Sequence, residues 1–561
     1  MWQLALTLAH ADPMEPLQIA DSEAVEDAAA QVDLQEAWVD AQVSSTAQVR
    51  LPITLRSMGW GCACPDAFVG TSPNMFTTGP WLNLTYAADL TPPESPTEGL
   101  IIVAEGHFTN AITLLDLQPE GEVIPEWVYP LQGFEVTAWR DWQPGGEDDW
   151  LEVIGAPPEE VRVQIDWQAH PAMHIPWKMF GRGLTDRPLR RRSWRHQFRQ
   201  TVSRPALEDS GVRLFLAAAM AAERARNPKQ ARRLILKQLR YVSDFVADHS
   251  DRFALATTPQ EARELLASTD KMVIIHSIEG GEELLWEPGD AAFWAEQGVA
   301  LLTLIHLRDR EFGGAALLDG PTGRLVNPGG ARQQRHGERR GLTAHGEQSI
   351  VALSEAGILI DYSHMTPEAL DDALAVSAEH GIPPVLTHAR LDTVFDGNFS
   401  VSPDQLVEIY RLGGVFSLGL SALDVQADHA TAVAPEGLCW GTLEAWAWHH
   451  RQVQALLDAS AATIFDDPTL TAETLTPQQR TQLSTGWSSD WNGWLSHSGP
   501  THGRGGCAPA EDATLGIDRR GLAHPGLLGE HWQRVAETGT DLDSMLRSSE
   551  RFLQLWEEAL E

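Results

Sequence analysis

Strand-like apolar runs that alternate with amphipathic helical segments predict an α/β protein, a (β/α)8 TIM barrel with a small β-rich N-terminal domain. The chain has 561 residues, enough for one large domain with additions. From residue 160 onward, eight strand-like runs are separated by segments with apolar residues three and four apart. Polar residues end many of these runs, where barrels build their active sites. A doubly wound open sheet is the competing architecture.

The N-terminal 45 residues predict a residual signal segment followed by a flexible acidic lead-in. MWQLALTLAHADP joins a short apolar stretch to Ala9-His10-Ala11, the pattern of a secretory cleavage site. An ordinary apolar start fits this stretch equally well. Residues 20–45 are acidic and rich in alanine, with little apolar periodicity. A secreted or periplasmic location is therefore favoured over a cytoplasmic one.

Residues 46–155 predict a β-rich accessory domain. Short runs such as QVRLPITL and LIIVAEGHF alternate there with clusters of proline, glycine and asparagine. We find no motif in this part that indicates chemistry.

The (β/α)8 barrel is predicted over residues 156–561, with an insertion around 424–480. The helix between the fifth and sixth strands has Thr366 as its N-cap, Pro367 in its first turn and Gly381 at its end. The strand candidates are VRVQID (161–166), VRLFLAAAM (212–220), KMVIIHSIE (271–279), VALLTLIH (299–306), GILIDYSH (357–364), PPVLTH (383–388), GGVFSLGL (413–420) and TGWSSD (485–490).

Composition excludes several classes of partner. The formal net charge is −37, from 78 acidic and 41 basic residues, which argues against nucleic acid and anionic membrane surfaces. No apolar run reaches the length of a membrane span. The four cysteines, Cys62, Cys64, Cys439 and Cys507, are too scattered for a disulfide framework, so we expect buried thiols or one disulfide.

The predicted strand ends supply imidazoles and carboxylates. A lone histidine at a strand end is more often a hydrogen-bonded structural residue than a ligand. Several such residues in register on one barrel face form the ligand set of Zn²⁺ or a similar borderline ion. The candidates are Gln168 and His170 after the first strand, Glu279 after the third, His306 after the fourth, His364 after the fifth, His388 after the sixth and Asp490 after the eighth.

At these positions the chain resembles a known family. The motifs VIIHSIEGGEEL, LLTLIH, LTAHGEQSIVALSEAGILIDYSHMTPEAL, VLTHAR and SSDWNG occur in the order found in the membrane dipeptidase (renal dipeptidase) family of the amidohydrolase superfamily. The resemblance covers about residues 160–561. It implies a (β/α)8 metallohydrolase that uses one or two zinc ions to cleave small amide substrates, most of all dipeptides.

The resemblance also implies roles for individual residues. Glu279 would bridge the metals, and His364 and His388 would bind one of the ions. His306 would contact the substrate and steady the tetrahedral intermediate. Asp490 would take a proton from the attacking water and pass it to the leaving amine.

Two departures from the family pattern leave alternatives open. The family has a His-x-Asp pair on the first strand, where this chain has Gln168 and His170. His170 can coordinate a metal, but Gln168 is a doubtful ligand because its amide oxygen is neutral. A mononuclear site on Glu279, His364 and His388 is therefore an alternative, and His174 either compensates or lines the mouth.

The second departure concerns the substrate. The family grips the dipeptide carboxylate with an arginine after the sixth strand, whereas VFDGNFSVSPDQL has none. Arg390 is the candidate replacement, and the basic run RPLRRRSWRHQFR (187–199) is either a second candidate or a solvated face. An N-acyl amino acid, ester or lactone is thus an alternative substrate, and a catalytically decayed binding protein is a third hypothesis. A homodimer is an option because family members are often dimeric.

Overall fold

The structure is a computed structural model with two compact units, Met1–Glu160 and Val161–Glu561. In the first unit it describes the backbone of the strands; in the second it describes residues 161–560 apart from gaps at 179–182, 187–188, 190–193, 195–200, 221–224, 226, 319, 396, 398 and 423–424. The predictions for residues 1–45 and for Cys62 and Cys64 lie outside the described residues.

The described strands of the first unit form a sheet that closes on itself. They are β1 (Gln48–Arg56), β2 (Phe68–Thr71), β3 (Leu82–Tyr86), β4 (Ile101–Asp116), β5 (Val128–Asp141) and β6 (Glu152–Gly155). The order β1-β2-β3-β5-β4 returns to β1, and β6 also pairs with β1. The β3–β5 pair is parallel, and the other described pairs are antiparallel. This is the connectivity of the OB fold, a small Greek-key barrel, and it confirms the β-rich N-terminal prediction.

The second unit is built on parallel strands. They are β7 (Gln164–Ala169), β8 (Val212–Met220), β9 (Phe253–Ala256), β10 (Met272–Glu279), β11 (Val299–Thr303), β12 (Leu359–Asp361), β13 (Val385–Leu391), β14 (Ser400–Val401), β15 (Val415–Gly419) and β16 (Thr485–Ser488). Eight of these described strands follow one another in the sheet from β7 to β16, while β9 pairs beside β10 and β14 beside β13. The sequence identified the eight barrel strands and missed β9 and β14.

The barrel closes between its first and last strands. The Asp490 N–H donates to the Gln168 carbonyl at 2.7 Å, and the His170 N–H donates to the Trp491 carbonyl at 2.8 Å. A parallel bridge between Ala169 and Trp491 lies between these two bonds. The predicted (β/α)8 barrel is therefore confirmed, and the open-sheet alternative is wrong.

Helices connect the barrel strands. The described ones are α1 (Arg204–Glu208), α2 (Pro228–Asp248), α3 (Pro259–Ser268), α4 (Asp290–Glu296), α5 (Gly320–Val326), α6 (Pro328–Arg335), α7 (Ala344–Glu355), α8 (Pro367–His380), α9 (Pro403–Arg411), α10 (Leu443–Ile464), α11 (Pro477–Gln482), α12 (Gly516–Arg520), α13 (Leu528–Glu537) and α14 (Asp543–Glu558). Helix α8 begins as predicted, because the Thr366 side chain accepts the Ala369 N–H, and it ends at Gly381 with φ 67°.

The stretch 424–480, where an insertion was predicted, contains a helix of the barrel itself. Helix α10 follows β15 and precedes β16, which is the position of the crossover helix between the seventh and eighth barrel strands. Its N-cap is Thr442, whose side chain accepts the Glu444 N–H.

The apolar lower part of the barrel packs against the C-terminal helix. Ile165, Leu214 and Val273 share a buried cluster with residues of α14. The Trp167 ring meets Phe552 of α14 edge to face at 5.3 Å, and its indole N–H donates to the Ser548 hydroxyl at 3.3 Å. This packing leaves the opposite, C-terminal end of the strands for polar side chains.

A disulfide joins two segments above the C-terminal ends of the strands. Cys439 precedes α10 and is buried, and Cys507 follows β16 in a loop. One disulfide was among the sequence-based alternatives. No helix in the described part of the chain has the length and apolarity that a bilayer span requires.

We expect the Cys439–Cys507 disulfide to stabilise the fold. It closes a loop across a sequence separation of 68, for which chain entropy predicts about 4 kcal/mol in the unfolding free energy. The double variant C439S/C507S should therefore unfold at a lower temperature in differential scanning fluorimetry. Reductant should lower the wild-type midpoint to that of the variant and leave the variant unchanged. A wild-type midpoint that ignores reductant would contradict this expectation.

Three buried histidines resist protonation. His449 and His450 lie on α10, and His531 lies on α13. Burial lowers the pKa of His449 and of His531 to about 3 and that of His450 to about 4, with Arg390 and Arg451 adding to the effect at His449 and His450 respectively. Neither ring nitrogen of His450 or His531 has a hydrogen-bond partner among the described residues.

These histidines predict acid sensitivity. Each of these histidines has a lower pKa in the folded protein than in the unfolded chain, where the value is near 6.5. Protonation below pH 6.5 therefore favours the unfolded chain, and each histidine lowers the free energy of unfolding by about 1.4 kcal/mol at pH 5.5. Replacement His531→Phe should remove roughly that much of the acid-induced loss, measured by chemical denaturation between pH 7.5 and 5.5. The exposed His380→Asn provides the control. Equal pH slopes for His531→Phe and the wild type would contradict the argument.

Candidate metal centre

Glu279 is the centre of the site. It is the last residue of β10 and is 3% exposed. Its Oε1 lies 3.2 Å from Nε2 of His364 and 3.7 Å from Nε2 of His388. Its Oε2 lies 3.2 Å from Nε2 of His170 and 3.5 Å from Nε2 of His306. The carboxylate therefore divides the site into two halves, one for each oxygen.

The first half contains His364 and His388. Their Nε2 atoms are 2.7 Å apart, and ligand atoms of these two residues and Glu279 all lie within 4.8 Å of one another. His364 stands in the turn after β12 with φ 68°, and His388 lies within β13. Two imidazole nitrogens and a carboxylate oxygen are a donor set that suits Zn²⁺. Among the described residues, this is the group whose geometry fits a metal ion.

The second half contains His170 and Asp490. Nε2 of His170 lies 3.0 Å from Oδ1 of Asp490 as well as close to Glu279. His306 reaches the same region, and its ring meets the His364 ring edge to face at 4.6 Å. The structure thus brings six of the predicted residues together: His170, Glu279, His306, His364, His388 and Asp490.

Gln168 is buried on the first strand. Its side chain is 0% exposed, and neither amide atom has a hydrogen-bond partner among the described residues. Its backbone carbonyl accepts the N–H of Asp490, so Gln168 contributes to barrel closure. Its predicted role as a metal ligand stays a doubtful prediction.

Arg390 is buried near the end of β13. Its guanidinium lies against Gly397, where a Cβ would be 2.2 Å from Nη2. Any larger residue at 397 would therefore displace Arg390.

Of the basic run 187–199, only Leu189 and Trp194 are described. His174 packs against Tyr241, with ring centroids 4.7 Å apart.

Burial and neighbouring charges shift the pKa values of three site residues. Burial by itself would raise the pKa of Glu279, but the charges of His306 and His170 and hydrogen bonds from His170 and His364 hold it well below its usual range. Burial would likewise lower the pKa of His170, but Glu279 and Asp490 raise it to about 10. Burial and the charge of His306 lower the pKa of His364 to about 4. His364 is thus neutral at pH 7, with a lone pair available for a metal.

The first strand is tied to the last by Asp166. Its carboxylate accepts hydrogen bonds from the Ser489 N–H at 2.9 Å, from the Ser489 hydroxyl and from the Gln168 N–H at 3.4 Å. Burial raises the pKa of Asp166 to about 7, although these hydrogen bonds act in the opposite direction. Asp166 therefore fixes the ends of both strands that carry site residues.

The turn after β16 is held by Asn492. Its amide oxygen accepts the N–H and hydroxyl of Thr201 at 2.8 and 2.9 Å, and its amide nitrogen donates to the His170 carbonyl at 3.0 Å. Asp490 and Asn492 have backbone φ values of 49° and 68°, which residues other than glycine rarely adopt. Asn492 is not among the residues predicted for the site, and the motif SSDWNG is the sequence signal that contains it.

Phe399 is a further neighbour of the site, and its contact with a site residue was not predicted from the sequence. Its ring meets the His364 ring edge to face at 5.1 Å. The Phe399 carbonyl also accepts the N–H of Arg390 at 3.3 Å. The loop between β13 and β14 therefore lies over one edge of the site.

Curated relatives match parts of the chain. An uncharacterized dipeptidase of Schizosaccharomyces pombe is 28% identical over 138 residues, 25% of this chain and 29% of its own length. Dipeptidase verJ of Clonostachys rogersoniana is 23% identical over 200 residues, 36% of this chain and 46% of its own length. The matches thus span less than half of either relative.

A solved structure extends over more of the chain. A metallopeptidase from Rhodobacter sphaeroides, solved with a phosphinate mimic of the dipeptide L-Ala-D-Ala, is 16% identical and superposes with a TM-score of 0.47. The superposition covers 71% of this chain and 99% of that one.

The family comparison agrees with the resemblance seen in the motifs. The family model described as membrane dipeptidase (peptidase family M19) matches residues 172–445. That range includes Glu279 and three of the four histidines around its carboxylate, His306, His364 and His388. The fourth, His170, precedes the matched range. The matched part of the chain is therefore similar to the membrane dipeptidase family, as the motifs indicate.

Proposed function

We propose that this protein is a metal-dependent hydrolase that cleaves small amide substrates, most of all dipeptides. The observation that carries the proposal is the Glu279 carboxylate, which presents one oxygen to His364 and His388 and the other to His170 and His306. A buried carboxylate with imidazoles on both oxygens suits a bridge between two cation positions. The similarity to the membrane dipeptidase family supports the same activity.

Zinc is the proposed ion, because nitrogen and oxygen donors of this kind suit it. His364, His388 and Glu279 would hold the first ion, and His170, Glu279 and Asp490 are the donors available for a second. Such an ion lowers the pKa of a bound water toward neutrality and polarises an amide carbonyl. Gln168 adds at most a neutral oxygen, so we expect the first position to bind more tightly than the second.

The proposed proton transfers fall to Asp490. Its carboxylate lies in the site beside His170 and is anchored through its backbone to the first strand. It would accept a proton from the attacking water and deliver it to the leaving amine. His306, beside Glu279, would donate a hydrogen bond to the carbonyl oxygen as negative charge develops there, a contribution of about 3 kcal/mol in comparable sites.

Arg390 is the proposed partner of a substrate carboxylate. It lies two residues after His388 on the strand, and burial strengthens the attraction of its charge for an anion. Gly397 leaves space for its guanidinium. Preference for dipeptides over amides without a free carboxylate would support this role.

An oxidising compartment is the proposed location. The Cys439–Cys507 disulfide favours a secreted or periplasmic protein, since such bonds persist where thiols are oxidised. A homodimer stays a prediction.

The direct test combines metal content with a substrate panel. Protein purified without chelators should contain one or two zinc ions per chain by elemental analysis, and it should hydrolyse dipeptides faster than N-acyl amino acids or lactones. The variant Glu279→Gln should lose most of its zinc, because the substitution removes the negative charge that both halves of the site share. Glu283→Gln, in the following turn, is the matched control and should keep its zinc. A metal-free, inert wild type would support the decayed binding protein instead.

The role of Asp490 gives a separate prediction. Asp490→Asn should retain the first zinc ion and lower kcat by a factor of about 10² to 10⁴, the usual contribution of general acid–base catalysis. The exposed Asp512→Asn should behave as the wild type. Near-normal turnover by Asp490→Asn with bound zinc would remove Asp490 from the mechanism.

A further inference from the structure

Asp361 is a buried carboxylate directly beneath the candidate metal centre. It is the last residue of β12 and is 0% exposed. Oδ2 accepts the hydroxyls of Thr303 at 2.6 Å and Thr387 at 2.7 Å. Oδ1 accepts the backbone N–H groups of Ser363 at 2.9 Å and Thr387 at 3.1 Å. Asp361 thereby joins the ends of β11, β12 and β13 through neutral donors.

The Thr387 hydroxyl links this carboxylate to His388. Its oxygen lies 2.8 Å from Nδ1 of His388. A hydroxyl has one proton, and an ionised carboxylate can only accept. Because the Thr387 proton is directed to Asp361, the hydroxyl accepts at its other side, and Nδ1 of His388 must carry a hydrogen.

The consequence appears at the other ring nitrogen. With the hydrogen on Nδ1, Nε2 of a neutral His388 presents a lone pair. This is the atom that faces Nε2 of His364 at 2.7 Å and Oε1 of Glu279 at 3.7 Å. The backbone N–H of His388 also donates to the Ser363 hydroxyl at 3.2 Å, which fixes the base of the side chain.

We propose that Asp361, acting through the Thr387 hydroxyl, is a positioning residue that sets the tautomer and orientation of His388 for cation binding. The inference rests on the proposed metal site, and it adds a chain of two residues that do not themselves touch the ion. Groups that orient metal-binding histidines in this way commonly change metal affinity 10- to 100-fold when they are removed.

Thr387→Val is the sharpest test, because valine keeps the shape of threonine and removes only the hydroxyl. Metal-depleted protein is titrated with Zn²⁺ in competition with a chromophoric chelator, and the thermal midpoint is measured in parallel. Thr387→Val should bind the first zinc ion about 10- to 100-fold more weakly than the wild type. Thr387→Ser, which retains the hydroxyl, should restore affinity to within about threefold. Asp361→Asn should also weaken binding of the first zinc ion, as Thr387→Val does.

The matched control lies on the same segment of chain. Tyr362→Phe removes a buried hydrogen bond of 2.8 Å between the hydroxyls of Tyr362 and Ser377 of α8, and Ser377 is not one of the site residues. This variant should lower the thermal midpoint without weakening zinc binding. If Asp361→Asn fails to fold, the comparison of Thr387→Val, Thr387→Ser and Tyr362→Phe remains decisive.

The outcomes separate this inference from the proposed function. Equal zinc affinities for Thr387→Val and Tyr362→Phe, in a wild type that binds zinc tightly, would overturn the positioning role and leave the hydrolase proposal intact. A wild type that binds zinc no better than Glu279→Gln would remove the metal site and the positioning role together.

Discussion

Closure of the barrel between its first and last strands is the constraint on which the candidate site depends. His170 and Asp490 are 320 positions apart in the chain, and they meet because backbone hydrogen bonds join Gln168 to Asp490 and His170 to Trp491. Closure also places both side chains beside Glu279 on the third barrel strand. A parallel sheet left open at this edge would keep the ends of the first and last strands apart, and Oε2 of Glu279 would lose its contact with His170.

Buried carboxyl groups are the second organising feature, and the protein satisfies them in two ways. Asp166 and Asp361 lie below the site and are satisfied by hydroxyl and backbone donors that tie neighbouring strands together. Glu279 lies at the level of the site and is surrounded by imidazoles. Neutral donors fix geometry, whereas imidazoles can exchange a proton for a cation. The layer beneath therefore provides rigidity, and the layer above is available for chemistry.

Backbone strain is concentrated at the same level. His364 and Asp490 both adopt left-handed conformations, which cost roughly 1–3 kcal/mol each for residues other than glycine. Each strained turn has a buried aspartate nearby: Asp361 accepts the Ser363 N–H, and Asp166 accepts the Ser489 N–H and hydroxyl. The hydrogen bonds that hold the strand ends thus also offset the strain that directs His364 and Asp490 into the site.

The sequence predicted the residues that the barrel geometry gathers, because parallel strands place their C-terminal ends on one face. Glu279, His364 and His388 could be found by that rule alone. The hydroxyl groups of Thr387 and Ser489 could not, since their partners depend on strand register and on closure between residues far apart in sequence. Strand β14 has only two residues, too few for a pattern. The predicted insertion around 424–480 includes the crossover helix α10, whose first turns are rich in buried aromatic residues instead of showing a single apolar face.

The two halves of the site differ in a way that follows from the first strand. The family pattern His-x-Asp would give the second half one imidazole and one carboxylate, whereas this chain has the amide of Gln168 and the imidazole of His170 at these positions. The Gln168 amide carries no charge and has no hydrogen-bond partner among the described residues. His170 must then balance Glu279 and Asp490 on its own. The first half keeps two imidazoles, and the Nε2 atoms of both face Oε1 of Glu279. We therefore expect the two proposed positions to differ in affinity, since the neutral amide of Gln168 replaces an ionisable donor. The orientation of His388 would then matter more, because the first position would bind without support from a strong second one.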